Sequence, residues 1–222
     1  MKTPCAGENP GGMIEKKQRE VQAVAISLWG VRLDRPLTGE ERAALVRLLP
    51  PERLERLKKV SDRENWREPL AAYGLLLLAL RRTHGFPSIP YLSYRMRGKP
   101  DLEEYPEVQF SLSHTAGAVL VGLSEAALGV DIEHRRPLNK RTLRKLAERG
   151  ETEEHYLRDW VRYEALVKRS GSGVAIHHHL SGREPVQDVE ILPDCYAAVS
   201  GIGPITIQYQ GTLDDLLRDL EE

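Results

Sequence analysis

The run "LAAYGLLLLAL", residues 70–80, has no polar side. A helix that is apolar all round must be wrapped by the rest of its chain or by lipid. Its 11 residues are too few to span a bilayer, which leaves the buried helix of a globular core. The flanks agree. Pro69 is tolerable in a first helical turn and Gly85 supplies a stop, so the spacing predicts one helix over "WREPLAAYGLLLLALRRTHG".

The remaining segments must cover that helix. "AVAISLWGVRL" (23–33) reads as a strand. "TGEERAALVRLL" (38–49) opens with a Thr cap and two glutamates, as helices do. "PPERLERLKKV" is a second short helix, and "VQFSLSH" and "AVLVGLS" are apolar strands leading to "GVDIEH". Further helices are expected over "NKRTLRKLAERG" and "TEEHYLRDWVRYEALVKRSG", then strands over "VQDVEIL", "CYAAVSGI" and "PITIQYQ", and a closing helix "TLDDLLRDLEE". The order is strand, helices, two strands, and then the same again. Strands and helices do not alternate one by one, so the class is α+β rather than a doubly wound parallel sheet. The expected division is a disordered tail over 1–20, an N-terminal half over 21–125 and a C-terminal half over 126–222 that carries the candidate metal residues.

Composition excludes several roles. A net charge of −1 and 6% aromatic residues argue against a nucleic-acid surface. The N-terminus is polar and lacks the apolar stretch of a signal peptide. Two cysteines, one of them in the tail, imply no disulfide framework and suit a reducing cytoplasm.

The chemistry concentrates in three segments. In "GVDIEH" the period of two puts Val130 and Ile132 on one face and Asp131 and Glu133 together on the other. Two adjacent carboxylates repel unless a cation lies between them or one is protonated; a solvated strand face is the plain alternative. On the long second helix Trp160, Glu164 and Lys168 share a face, again readable as a surface pair. Joined to the strand, Glu164 is a third carboxylate, and such oxygens suit a hard cation such as Mg²⁺. In "FSLSHTAG" (110–117) the turn is a candidate anion nest. A Ser–His hydrolase pair is disfavoured, because neighbouring strand residues face opposite ways.

"RGKPDL", "FSLSHTAG", "GVDIEH" and "WVRYEALVKRSGSG" follow one another in this order. The chain thereby resembles the Sfp-type 4′-phosphopantetheinyl transferases, over roughly residues 25–210. That resemblance implies two pseudo-symmetric α+β halves with the active site between them, working as a monomer in the cytoplasm. It implies transfer of the 4′-phosphopantetheine arm of coenzyme A to a serine of an acyl or peptidyl carrier protein, with release of 3′,5′-ADP. Asp131, Glu133 and Glu164 would hold Mg²⁺, Glu164 would also act as base, and Lys168 would meet the phosphates. Ser113, His114, Lys99, Arg53 and Arg56 would bind coenzyme A, the last two near its 3′-phosphate.

The sequence departs from the family pattern in three places. Tyr163 stands where the family has a lysine. Glu68 and Pro69 open the long first helix where an Arg and a Ser or Thr are usual, with Arg67 as a displaced substitute. The segment 134–159 is short. These departures keep open a non-catalytic homologue that binds coenzyme A or a carrier protein. Two further features are unassigned by the motifs. "HHH" (177–179) lacks partners nearby, and the basic run 134–149 reads either as a solvated helix face or as a rim for an acidic carrier.

Overall fold

The computed structural model describes residues 24–60, 63–94, 98–171 and 185–222; the tail and His177–His179 lie outside them. The elements run β1 (Ile26–Arg32), α1 (Gly39–Leu48), α2 (Pro51–Leu57), a 3₁₀ turn (Arg63–Trp66) and α3 (Arg67–His84). Next come β2 (Leu92–Tyr94), β3 (Pro100–Leu102), β4 (Gln109–Thr115), β5 (Ala118–Ser124) and β6 (Gly129–His134). The chain continues with α4 (Lys140–Arg149), α5 (Glu153–Ser170), β7 (Val186–Val189), β8 (Cys195–Ser200), β9 (Ile205–Thr212) and α6 (Leu213–Glu221). This mixture of helices and mainly antiparallel sheets is the α+β class expected from the element order.

Every residue of the 70–80 run is buried in α3. Helices α1 and α6 close on it at Gly74, where an added Cβ would lie 3.0 Å from Leu45 and 3.2 Å from Leu220. The helix ends at Gly85, whose φ of 70° is the left-handed stop that glycine adopts at no steric cost. Against α3 lies a four-stranded sheet ordered β4-β5-β1-β9. The period of two divides its residues between two cores. Trp29, Val31, Val119, Val121 and Leu123 face α3, while Ile26, Leu28, Ala118 and Leu120 face the other way. Burial on both faces explains why "AVLVGLS" is apolar without alternation.

The second face of that sheet packs on a three-stranded sheet ordered β6-β8-β7, through Leu128, Val130, Ile132 and Val199. Helix α5 covers the far side of β6 and β8 with Val161 and Ala165 on Ala198. One strand does not stay with its sequence neighbours. Past the three-stranded sheet the chain returns, and β9 lies parallel to β1. Helix α6 then docks on α3. β9 therefore completes the first sheet and α6 the packing around α3, although both follow the expected boundary near 125.

Candidate active site

The site forms where β4, β6 and α5 meet. Glycine decides how closely. A Cβ at Gly129 would overlap the Ala165 carbonyl oxygen and the Arg169 amide, so only glycine lets α5 lie directly on the start of β6. Helix α5 begins with Thr152 capping the His155 amide and stops at Gly171 in the left-handed region. Its i, i+4 face brings Glu164 and Lys168 to the carboxylates of the strand.

Asp131 is buried at 5% exposure, a poor environment for an unpaired carboxylate. It is not unpaired. The Lys168 ammonium donates to its Oδ1 at 2.6 Å, and the Ser113 hydroxyl donates to the same oxygen at 2.7 Å. Glu133 is half-buried and accepts from the Thr115 hydroxyl at 3.0 Å. Glu164 is pushed above the ordinary carboxylate range, first by burial, then by the negative charge of Asp131, with Glu133 adding to it and Lys168 opposing. The three carboxylates thus sense one another. Among the described residues no three acidic, His or Cys groups stand close enough to form a finished metal cage. The donor set, all carboxylate oxygen, has the chemistry a hard divalent ion takes.

Beside these groups opens a cavity of about 380 Å³. Arg53, Arg56, Lys99, Lys168 and His114 supply its nitrogen-bearing wall, and Glu164 lies at the same wall. Tyr73, Tyr94, Phe110, Val167 and two prolines make the apolar part. Arg53 stacks on Tyr73 at 4.9 Å and Arg56 on Tyr94 at 3.6 Å, which holds both guanidiniums over the cavity. The Arg53 Nε is buried with no hydrogen-bond partner among the described residues. Lys99 reaches the Leu128 carbonyl at 3.0 Å and so ties the approach to β3 to the start of β6. His114 is exposed at the cavity, yet the protein packed around it and then Lys168 push its imidazole below the usual histidine value, against the pull of Glu68. The cavity thus sets a wall of cationic side chains beside the Glu164 carboxylate.

No family model matches the chain. Curated relatives do. The chain is 21% identical to the 4′-phosphopantetheinyl transferase Sfp of Bacillus subtilis (strain 168) over 198 residues, which cover 81% of this chain and 88% of the relative. The same identity, length and coverage hold for the transferase ffp of Bacillus subtilis. It is 33% identical to the 4′-phosphopantetheinyl transferase AcpT of Escherichia coli (strain K12) over 137 residues, 55% of this chain and 66% of the relative.

The chain belongs to the Sfp-type 4′-phosphopantetheinyl transferases, which are enzymes.

In this transferase the motif residues do not all face the cavity. Arg53, Arg56, Lys99, His114, Glu164 and Lys168 line it. Ser113 lies behind the wall, buried, with its hydroxyl committed to Asp131 and to the Ile132 amide. The expected anion nest at the β4–β5 turn is also committed: the Gly117 amide donates to Glu68, 3.3 Å away. Glu68 binds Arg67 at 2.6 Å, so Arg67 serves that ion pair, while Pro69 lines the cavity. Tyr163 is buried at 8% exposure, and the cation beside Asp131 is Lys168 instead. The short 134–159 segment folds as α4 and the start of α5. Of the apolar residues on α4, Leu146 is buried and Leu143 half-buried, while Ala147 is exposed. The alternation of Ser111 and Ser113 and the presence of Thr115 in the turn were legible in the sequence; that their hydroxyls bond β6 was not.

Proposed function

We propose that this transferase moves the 4′-phosphopantetheine arm of coenzyme A onto a serine hydroxyl of an acyl or peptidyl carrier protein and releases 3′,5′-ADP. The observation that carries this reading is the union in one cavity of a cationic wall, from Arg53 to Lys168, with a carboxylate of raised pKa at Glu164. Pyrophosphate suits the first and a hydroxyl to be deprotonated suits the second.

In the proposed reaction the carrier serine oxygen attacks the phosphorus bearing pantetheine. The new O–P bond forms as the bond from that phosphorus to the bridging oxygen breaks, and the bridging oxygen leaves with 3′,5′-ADP. Glu164 takes the serine proton; its raised pKa makes it a stronger base than a solvated glutamate. Lys168 and His114 face the phosphates, and Arg53 and Arg56 hold the 3′-phosphate end. Asp131, Glu133 and Glu164 would hold Mg²⁺, which when bound supplies charge neutralisation on the pyrophosphate oxygens. The pseudo-symmetric halves belong to this proposal too. A cavity lined both by α2, α3 and β4 and by α5 supports a site between them.

Carrier proteins of this kind are acidic around the modified serine. Arg141, Arg144 and Lys145 on α4 are exposed, and α4 starts a few residues past Glu133, which supports docking there. The described residues contain no helix long and apolar enough to cross a membrane; action as a cytoplasmic monomer is part of the proposal.

The test is mass spectrometry of a purified apo-carrier protein after incubation with the enzyme, coenzyme A and Mg²⁺. The expected result is a gain of one phosphopantetheine, lost with a chelator and slowed about 10²-fold or more by Glu164→Gln. No mass gain with any acyl or peptidyl carrier overturns the reading.

A further inference from the structure

β4 and β6 belong to different sheets and share no backbone ladder, yet they run side by side. Their contact is made by hydroxyls. Ser111 accepts from the Val130 amide at 3.0 Å, Ser113 from the Ile132 amide at 3.3 Å and Thr115 from the His134 amide at 3.5 Å. Each hydroxyl thus meets the amide 19 residues on. Two of them also meet the carboxylate 18 residues on, Ser113 at Asp131 and Thr115 at Glu133. For Ser111 the equivalent position is Gly129, which has no side chain.

A hydroxyl has one proton and two acceptor lone pairs. A backbone amide can only donate, so it occupies a lone pair and leaves the O–H free to point at the carboxylate. The main chain of β6 therefore orients the hydroxyls, and these in turn orient the acids of the same strand. We propose that Ser113 and Thr115 are positioning residues that fix Asp131 and Glu133 in the rotamers needed to receive a divalent ion. The inference rests on the proposed metal-dependent reading of the site. It gives the serine–threonine pattern of β4 a role apart from contact with substrate.

Thr115→Val keeps the shape and removes both bonds; Thr115→Ser keeps the hydroxyl. Mn²⁺ binding to the full-length enzyme, followed by electron paramagnetic resonance, reads the site without turnover. Loss of an outer hydrogen bond to a metal ligand commonly weakens metal binding by 10- to 100-fold. The expected result is about tenfold weaker Mn²⁺ binding in Thr115→Val and near-native binding in Thr115→Ser. In steady-state kinetics, kcat should fall and the KM for coenzyme A should hold. Ser111→Ala, which breaks a seam bond without touching an acid, should lower the melting temperature but not Mn²⁺ affinity. If Thr115→Val does not fold, Ser113→Ala gives the same reading through Asp131. Native Mn²⁺ affinity in a folded Thr115→Val or Ser113→Ala overturns the positioning role while leaving the metal reading intact. Absence of Mn²⁺ binding in the wild type overturns both.

Discussion

Lys168 Nζ lies 2.6 Å from Asp131 Oδ1, joining the last turn of α5 to the middle of β6. The carboxylate is almost fully enclosed and the ammonium only partly so, with side-chain exposures of 7% and 29%. Removing the partner of a buried charge costs more than the pair itself contributes, because the remaining ion has lost water and gained nothing. Lys168→Met is therefore expected to destabilise the protein by about 2 kcal/mol, solvent at the lysine holding the loss below that of a fully buried pair. Lys168→Met with Asp131→Asn should recover part of that loss. Chemical denaturation of the single and double variants checks this; strictly additive losses would remove the coupling.

Gly129 sets the distance between strand and helix. Gly129→Ala must push α5 off β6, and a loss of about 3 kcal/mol or failure to accumulate as folded protein is expected, since the clash is with backbone that cannot swing away. A Cβ added at Gly39, in the first turn of α1, would meet no other described residue within 4 Å, so Gly39→Ala should be neutral or slightly stabilising. Urea midpoints of the two variants provide the comparison.

In the proposed function the stacked arginines would hold the 3′-phosphate end of coenzyme A. Arg56→Ala should raise the KM for coenzyme A about tenfold, equivalent to about 1.4 kcal/mol. With 3′-dephospho-coenzyme A as substrate the wild type and variant should converge. Equal penalties on both substrates would move Arg56 to another phosphate.

Arg144 and Lys145 are exposed on α4, so their reversal should leave the melting temperature nearly unchanged. Arg144→Glu with Lys145→Glu is expected to lower kcat/KM for the carrier and spare the KM for coenzyme A. Wild-type carrier kinetics should also slow as salt rises to about 0.5 M, where screening shortens electrostatic reach to a few ångströms. Unaltered carrier kinetics would place docking elsewhere.

Acid stability turns on the start of α1. Glu41 takes two hydrogen bonds from Arg35, at 2.9 and 2.7 Å, and also closes the capping box with Thr38. The Arg35 guanidinium holds this carboxyl down at about 2. A depressed carboxylate stabilises the fold above the ordinary glutamate range, and that contribution disappears as pH falls through about 2. Glu41→Gln should cost about 1 kcal/mol at neutral pH, a modest figure because the pair touches solvent. In melts across an acid series the gap to wild type should narrow as pH falls toward that value; a constant gap would contradict the assignment.

The buried helix 67–84, the alternation of Asp131 and Glu133 against Val130 and Ile132, and the shared face of Glu164 and Lys168 were all legible in the sequence. Each follows from the period of one element, 2 or 3.6, and a period needs only a dozen consecutive residues. Which faces meet is a different matter. That Lys168 neutralises Asp131, that Tyr163 turns inward, and that Ser113 serves a carboxylate behind the cavity depend on α5 settling on β6 at Gly129 and on β4 lying beside β6. The same holds for β9, which crosses from the last third of the chain to pair with β1. Such contacts join residues 18 to 180 positions apart. They are chosen by mutual burial and by the need of each enclosed polar group for a partner, and no local pattern encodes them.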